Sequence, residues 1–170
     1  VREMERLSML VDVSHLNDEG VGDVVKFTTK PFIASHSNAR ALVPLVRNLT
    51  DEQLRQVAKS GGVVGVNGIR KFLLKAGSDG DPIDCICDHI AYMVDLIGAE
   101  HVGCGFDLCD SLSSCELRFE FGEPEPGDAL RNHEDMLLVT EKLLDRGMDE
   151  QTIINVMGKN FLRVFREVLQ

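Results

Sequence analysis

Four times along the chain, a short apolar run rich in β-branched residues gives way to a turn and then to a helical pattern. The first run is MLVDV at 9–13, which ends at Ser14-His15 and precedes LNDEGVGDVVKFT, where a short helix is predicted. The second is FIA at 32–34, which ends at Ser35-His36. A helix opens after it near Thr50, with Gln53 three residues on as in a capping box, and Leu54, Val57 and Ala58 form its apolar face. The third run, GVVGVN at 62–67, precedes a helix predicted over 82–96, in which Ile83, Ile86, Ile90, Met93, Val94 and Ile97 recur at helical spacing and Gly98 marks the stop. The fourth, HVGCGF at 101–106, ends at Asp107. A polar, proline-containing segment over about 110–130 follows it. Two last helices are predicted, near 134–146 and 149–168, the second with a stripe of Ile153, Ile154, Val156, Met157, Phe161, Val164, Phe165 and Val168.

Strand-helix alternation of this kind predicts an α/β protein with a parallel sheet, read as a single domain over 1–170. Parallel sheets place ligands at the carboxyl ends of their strands. That singles out His15, His36, Asn67 and Asp107 as a set. A histidine at one strand end, read alone, is a polar cap. Two at the ends of successive strands would lie about 5 Å apart and could share one metal ion. Asn67 could tie down a loop or touch a substrate. His89 within a helix, His101 at the start of a strand and His133 at the start of a helix are expected to be structural or solvated.

Composition narrows the function classes. With 28 acidic and 18 basic residues the net charge is −10, a field that repels phosphate backbones, so nucleic acid is not an expected partner. No apolar run is long enough for a transmembrane helix, and VREMERLSML does not read as a signal peptide. The five cysteines, Cys85, Cys87, Cys104, Cys109 and Cys115, are odd in number and lack a CxxC spacing. They read as reduced thiols, and a cytoplasmic location is the expectation. Cys85 and Cys87 stand two apart on a helix and do not face each other. The glycines of 61–68 do not follow the GxGxxG phosphate pattern, and the Asn48-Leu49-Thr50 sequon is read as accidental.

The segments DVSHL, PFIASHSNARAL, VRNLTDEQL, GGVVGVN, HVGCGFD and GKNFLRVF occur in this order. Together they resemble the membrane (renal-type) dipeptidases, peptidase family M19 of the amidohydrolase superfamily. The resemblance implies a (β/α)8 TIM barrel of metallo-dependent hydrolase type, of which this chain corresponds to the C-terminal half, strands five to eight with their helices. It implies a dipeptidase that uses two zinc ions and a metal-bridging hydroxide to cleave dipeptides with a free C-terminal carboxylate. His15 and His36 would be ligands to one ion, Arg47 the clamp on the substrate carboxylate, and Asp107 the proton-handling group. Asn67 is a further substrate-contact candidate. A homodimer is an expectation of the family. The family's HxD pair and bridging glutamate belong to the other half of the barrel, and no HxD is expected anywhere in this chain. The strand-eight segment reads Gly103-Cys104-Gly105-Phe106-Asp107-Leu108-Cys109-Asp110, with the second aspartate one place later than in the family. That leaves open another small amide or ester as substrate. A catalytically incomplete half-barrel is the other alternative. Manganese, iron or cobalt would suit the same donors.

Overall fold

In the computed structural model, which describes residues 1–75, 77–108 and 129–170, four extended segments lie side by side, all parallel and in chain order. Residues 9–13 pair with 32–34 through Val13 N–H to Ile33 C=O (2.8 Å) and Ile33 N–H to Val11 C=O (2.9 Å). Residues 32–34 pair with β1 (Val64–Val66) through Ala34 N–H to Val63 C=O (3.1 Å) and Gly65 N–H to Ala34 C=O (2.8 Å). β1 pairs with β2 (Val102–Cys104) in the register Val64↔Val102, Gly65↔Gly103 and Val66↔Cys104. Four strands were expected, but only β1 and β2 form a regular ladder, because the first two segments divert backbone groups to side chains. Ser35 N–H donates to Asp12 Oδ1 (3.0 Å) and His36 N–H to Ser14 Oγ (3.0 Å).

The connections are the helices the sequence announced. α1 (Arg2–Arg6) precedes the first segment, and α2 (Asp18–Phe27), capped by Asn17, follows it. α3 (Asp51–Lys59) carries the full Thr50/Gln53 capping box. A short α4 (Arg70–Leu73), which the pattern does not reveal, follows β1. α5 (Pro82–Ile97) starts from an Asp81 cap with Pro82 in its first turn and ends at Gly98, whose φ of 91° suits glycine. The expected polar segment lies mostly outside the described residues. α6 (Met136–Asp145) comes after a 3₁₀ turn at His133–Asp135.

The long last helix is interrupted. α7 (Glu150–Ile154) and α8 (Asn160–Val168) meet at a kink within Asn155–Lys159, where Gly158 leaves the helical backbone region. The kink redirects the downstream face. Ile154 and Phe165, expected in the apolar stripe, are exposed, while Asn160 is buried and donates from Nδ2 to the carbonyls of Ala99 and Val102, at 2.7 Å each. That pair of bonds pins α8 to the start of β2.

Strand alternation divides the core. Val11, Val13, Phe32, Ala34, Val64, Val66 and Val102 pack on the helical layer, where Leu54, Val57, Ile86, Ile90, Met93, Val139 and Leu143 are buried. Ile33 and Val63 face the other way, against Val164, Val168, Leu10 and Phe161, so α8 covers the amino end of the opposite face. The carboxyl end of that face is kept tight by glycine. A Cβ on Gly65 would stand 2.1 Å from the Ser35 carbonyl oxygen, and one on Gly105 would stand 1.8 Å from it. Only glycine allows the segments to curve that closely around Ser35.

Two buried ionisable groups tie loops to this frame. Burial pushes the Glu5 carboxyl up, but hydrogen bonds from Thr28 Oγ1, Thr29 N–H, Thr29 Oγ1 and Lys30 N–H outweigh it and hold the group at about 2. His89, buried in α5, accepts from Ala39 N–H at Nδ1 (3.1 Å) and faces the Leu73 carbonyl with Nε2 (3.4 Å). Burial pulls its pKa down to about 4 against the opposing effects of the Leu73 hydrogen bond and Asp88. Charging His89 would turn Nδ1 into a donor facing a donor. Among the described residues no helix is long and apolar enough to cross a membrane.

Two outcomes are expected. Gly105→Ala should destabilise the protein by about 3 kcal/mol or more, read as a lowered denaturation midpoint, because the methyl group would meet backbone rather than a movable side chain. Acid should weaken the fold in two windows. The neutral-His89 contribution is complete above pH 6.5 and is lost as pH falls towards about 4, and the Glu5 contribution, complete above 4.5, is lost towards about 2. Denaturant titrations at stepped pH should show the upper window flattened in His89→Gln and the lower one in Glu5→Gln.

Candidate metal and substrate site

The four strand ends converge at the carboxyl edge of the sheet. The first segment ends in a tight turn closed by Leu16 N–H to Val13 C=O (3.0 Å), with His15 at a φ of 72°. Asp107, beyond β2, has a φ of 60°. A left-handed backbone at a non-glycine residue costs on the order of 1 kcal/mol or more and persists only where its surroundings demand it. Two of the four predicted strand-end residues carry this strain.

The two histidines meet. His15 Nε2 and His36 Nε2 are 2.8 Å apart, with ring centroids at 4.8 Å and planes tilted by 56°. His36 is the better buried of the pair, and burial lowers its pKa, as do the nearby charges of Arg47 and His15, while Asp107 and Asp12 oppose them. The net effect favours a neutral imidazole with a lone pair, the form in which histidine binds metal.

Arg47 reaches the same place from the loop before α3. Its NH2 group donates to the His36 carbonyl oxygen (2.7 Å) and its NH1 group to Ser37 Oγ (3.0 Å). The guanidinium carbon lies 5.5 Å from the centre of the Phe72 ring. Burial pulls the Arg47 pKa down, against the carboxylates of Asp107 and Asp12, and its buried Nε has no hydrogen-bond partner among the described residues. This half-desolvated cation keeps N–H groups available for an anion.

Asn67 does the work of a brace. It is buried, its Oδ1 accepts from Ile69 N–H (2.7 Å), and its Nδ2 donates to Asp107 Oδ2 (3.2 Å). Its backbone is held from both sides by Asn38, which accepts from Asn67 N–H and donates to Asn67 C=O. The structure therefore brings all five predicted residues, His15, His36, Arg47, Asn67 and Asp107, into one neighbourhood. It leaves His89 in the helical layer and sets His101 on the Gly62 carbonyl (2.8 Å). An HxD triplet does occur, at His133–Asp135, but away from any strand end, in the 3₁₀ turn before α6, with Asp135 paired to Arg131. The sequon asparagine, Asn48, is buried and donates from Nδ2 to the Val43 and Phe72 carbonyls (3.0 Å each), so its amide is already engaged.

Sequence reasoning missed Asp12 and the serines. Asp12 Oδ1 accepts from Ser14 N–H (2.9 Å) as well as from Ser35 N–H, and Asp12 Oδ2 accepts from Ser35 Oγ (2.5 Å). The available signal was an acidic residue breaking the apolar run of 9–13, two places before Ser14 and so on the same strand face.

The donor set fits a metal in part. Two imidazole nitrogens face one point, with His36 Nδ1 held by Ser35 Oγ (2.7 Å) as a ligand ring requires. A tetrahedral site needs four donors. Among the described residues no group of three or more His, Cys, Asp or Glu is arranged to hold an ion.

The chain is similar to known proteins over nearly its whole length. The chain is 39% identical over 172 residues to an uncharacterized protein in the pqqA 5′ region of Klebsiella pneumoniae, covering 100% of this chain and 59% of that protein. It is 32% identical to dipeptidase tcpJ of Claviceps purpurea, over 99% of this chain and 36% of that one. Among solved structures, it superposes with a TM-score of 0.80 and 28% identity on a metallo peptidase from Rhodobacter sphaeroides liganded with a phosphinate mimic of the dipeptide L-Ala-D-Ala, over 98% of this chain and 44% of that one. The dipeptidase AC, a metallo peptidase of family M19, gives 0.81 and 28%, over 99% and 46%. The fold is accordingly part of a (β/α)8 barrel, and the chain spans 36–59% of the length of the curated relatives it matches. The model of the membrane dipeptidase family, peptidase family M19, matches residues 1–170, and the chain belongs to that family.

Proposed function

We propose that the full-length protein is a zinc-dependent dipeptidase that cleaves dipeptides bearing a free C-terminal carboxylate. The observation that carries this reading is the meeting of His15 and His36 through Nε2, beside Arg47 and Asp107, at the carboxyl edge of a parallel sheet. The supporting likenesses are a tcpJ dipeptidase and a structure whose ligand mimics L-Ala-D-Ala. His15 and His36 would hold one ion, and the donors completing a two-metal site would come from outside this chain. The metals, when bound, lower the pKa of water and polarise a carbonyl.

The remaining roles belong to the chain's own side chains. Arg47, oriented by Ser37 and the His36 carbonyl, pairs with the substrate carboxylate and fixes which peptide bond reaches the histidines. Asp107, held at Oδ2 by Asn67, is placed to take a proton from the attacking water and return it to the leaving amine. Asn67 thereby holds Asp107 in place beside the substrate.

In zinc-loaded full-length protein, His36→Ala should lower dipeptide hydrolysis by roughly a hundredfold or more and Asp107→Asn should lower kcat by a similar factor. Arg47→Lys should raise KM roughly tenfold with a smaller change in kcat, because a point cation replaces a fork. Amino-acid release followed with purified variants measures all three, and undiminished hydrolysis by His36→Ala would sink the assignment.

A further inference from the structure

Asp12 carries no role in the chemistry above, yet it is heavily engaged at the strand ends. One oxygen accepts from the backbone N–H groups of Ser14 and Ser35, and the other accepts from Ser35 Oγ at 2.5 Å. The same Ser35 Oγ lies 2.7 Å from His36 Nδ1. A carboxylate oxygen only accepts, and a hydroxyl has a single hydrogen. The Ser35 hydrogen therefore goes to Asp12, and Ser35 meets the imidazole with a lone pair. His36 Nδ1 must then carry a hydrogen, which leaves Nε2 bare and turned towards His15.

We propose that Asp12, acting through Ser35, is a positioning residue that presets His36 in the Nδ1–H tautomer and aims its Nε2 lone pair at the metal position. Backbone contacts complete the hold on the ring. His36 N–H donates to Ser14 Oγ (3.0 Å), and the His36 carbonyl accepts from Arg47 (2.7 Å), so the ring is fixed at both its backbone groups and at Nδ1. Histidine ligands are commonly oriented by a carboxylate on the second ring nitrogen. Here a serine hydroxyl stands between the two, and the same carboxylate also joins the ends of the first two strands.

The bare His36 Nε2 faces His15 Nε2 across 2.8 Å. The metal-directed part of this inference rests on the function proposed above, whereas the tautomer assignment rests on the hydrogen bonds alone.

Long-range ¹H–¹⁵N correlation spectra of the metal-free full-length protein test it, with zinc affinity measured by competition against a chromophoric chelator. The expected result is an Nδ1–H signature for His36. Asp12→Asn is the diagnostic variant. Its amide oxygen still accepts from the two backbone N–H groups, but its NH₂ donates to Ser35, so the serine hydrogen turns to His36 Nδ1 and the His36 tautomer should reverse. Ser35→Ala should abolish the preference, and Ser35→Thr should keep it. Zinc affinity should fall roughly tenfold to a hundredfold in Asp12→Asn and Ser35→Ala and stay near wild type in Ser35→Thr. An Nε2–H His36 in the wild type, or an unchanged tautomer in Asp12→Asn, overturns the proposal. So does unchanged zinc affinity in both Asp12→Asn and Ser35→Ala. If the tautomers and affinities behave as expected but the protein hydrolyses no dipeptide, the relay stands and the dipeptidase reading falls.

Discussion

The site depends on how closely the sheet can curve around Ser35. Its carbonyl oxygen occupies space that a methyl group on either Gly65 or Gly105 would need. Those two glycines lie on the two segments that follow Ser35 across the sheet. Their missing side chains let the sheet bend inwards, and the bend draws the ends of the segments towards one point. The same serine bonds to Asp12 through its N–H and its hydroxyl. Ser35 is thus where backbone curvature and site chemistry are coupled.

Around that point, most of the buried polar groups have hydrogen-bond partners. Asn38, Asn67 and Asn160 each use side-chain amides to hold main-chain groups that the short ladders leave over. Among the described residues regular pairing is limited to two strands of three residues, so these amides carry part of what a longer ladder would supply. The same logic explains His89, which a hydrophobic stripe would not predict. It fills a core position in α5 while satisfying a backbone N–H at Ala39. A buried polar group without such a partner costs about 1–3 kcal/mol, and Arg47 Nε and Asn48 Oδ1 are the buried side-chain atoms that lack one among the described residues. Arg47 Nε belongs to the side chain assigned to an anionic substrate.

Much of this was legible in the residues. The four apolar runs mark the parallel segments, the Thr50/Gln53 box and Gly98 mark helix ends, and the order of His15, His36, Arg47, Asn67 and Asp107 marks the site. Other features were not. The helical stripe over 149–168 does not announce the kink at Gly158, beyond which Asn160 reaches the Ala99 and Val102 carbonyls. The α4 turn is too short to show a period. Asp12 looked like an interruption of a strand because its partners, Ser14 apart, come from the next segment.

Local patterning by itself determined the β/α alternation, the capped helix ends and the candidate chemistry, because propensity, capping and side-chain period act over a few residues. Only the tertiary structure decided what the candidates became. The 2.8 Å approach of the two imidazoles and the bond from Asn67 to Asp107 follow from contacts between segments at least twenty residues apart. Such contacts depend on the curvature that Gly65 and Gly105 permit around the Ser35 carbonyl, and a close approach between backbones leaves little trace in the pattern of any single segment.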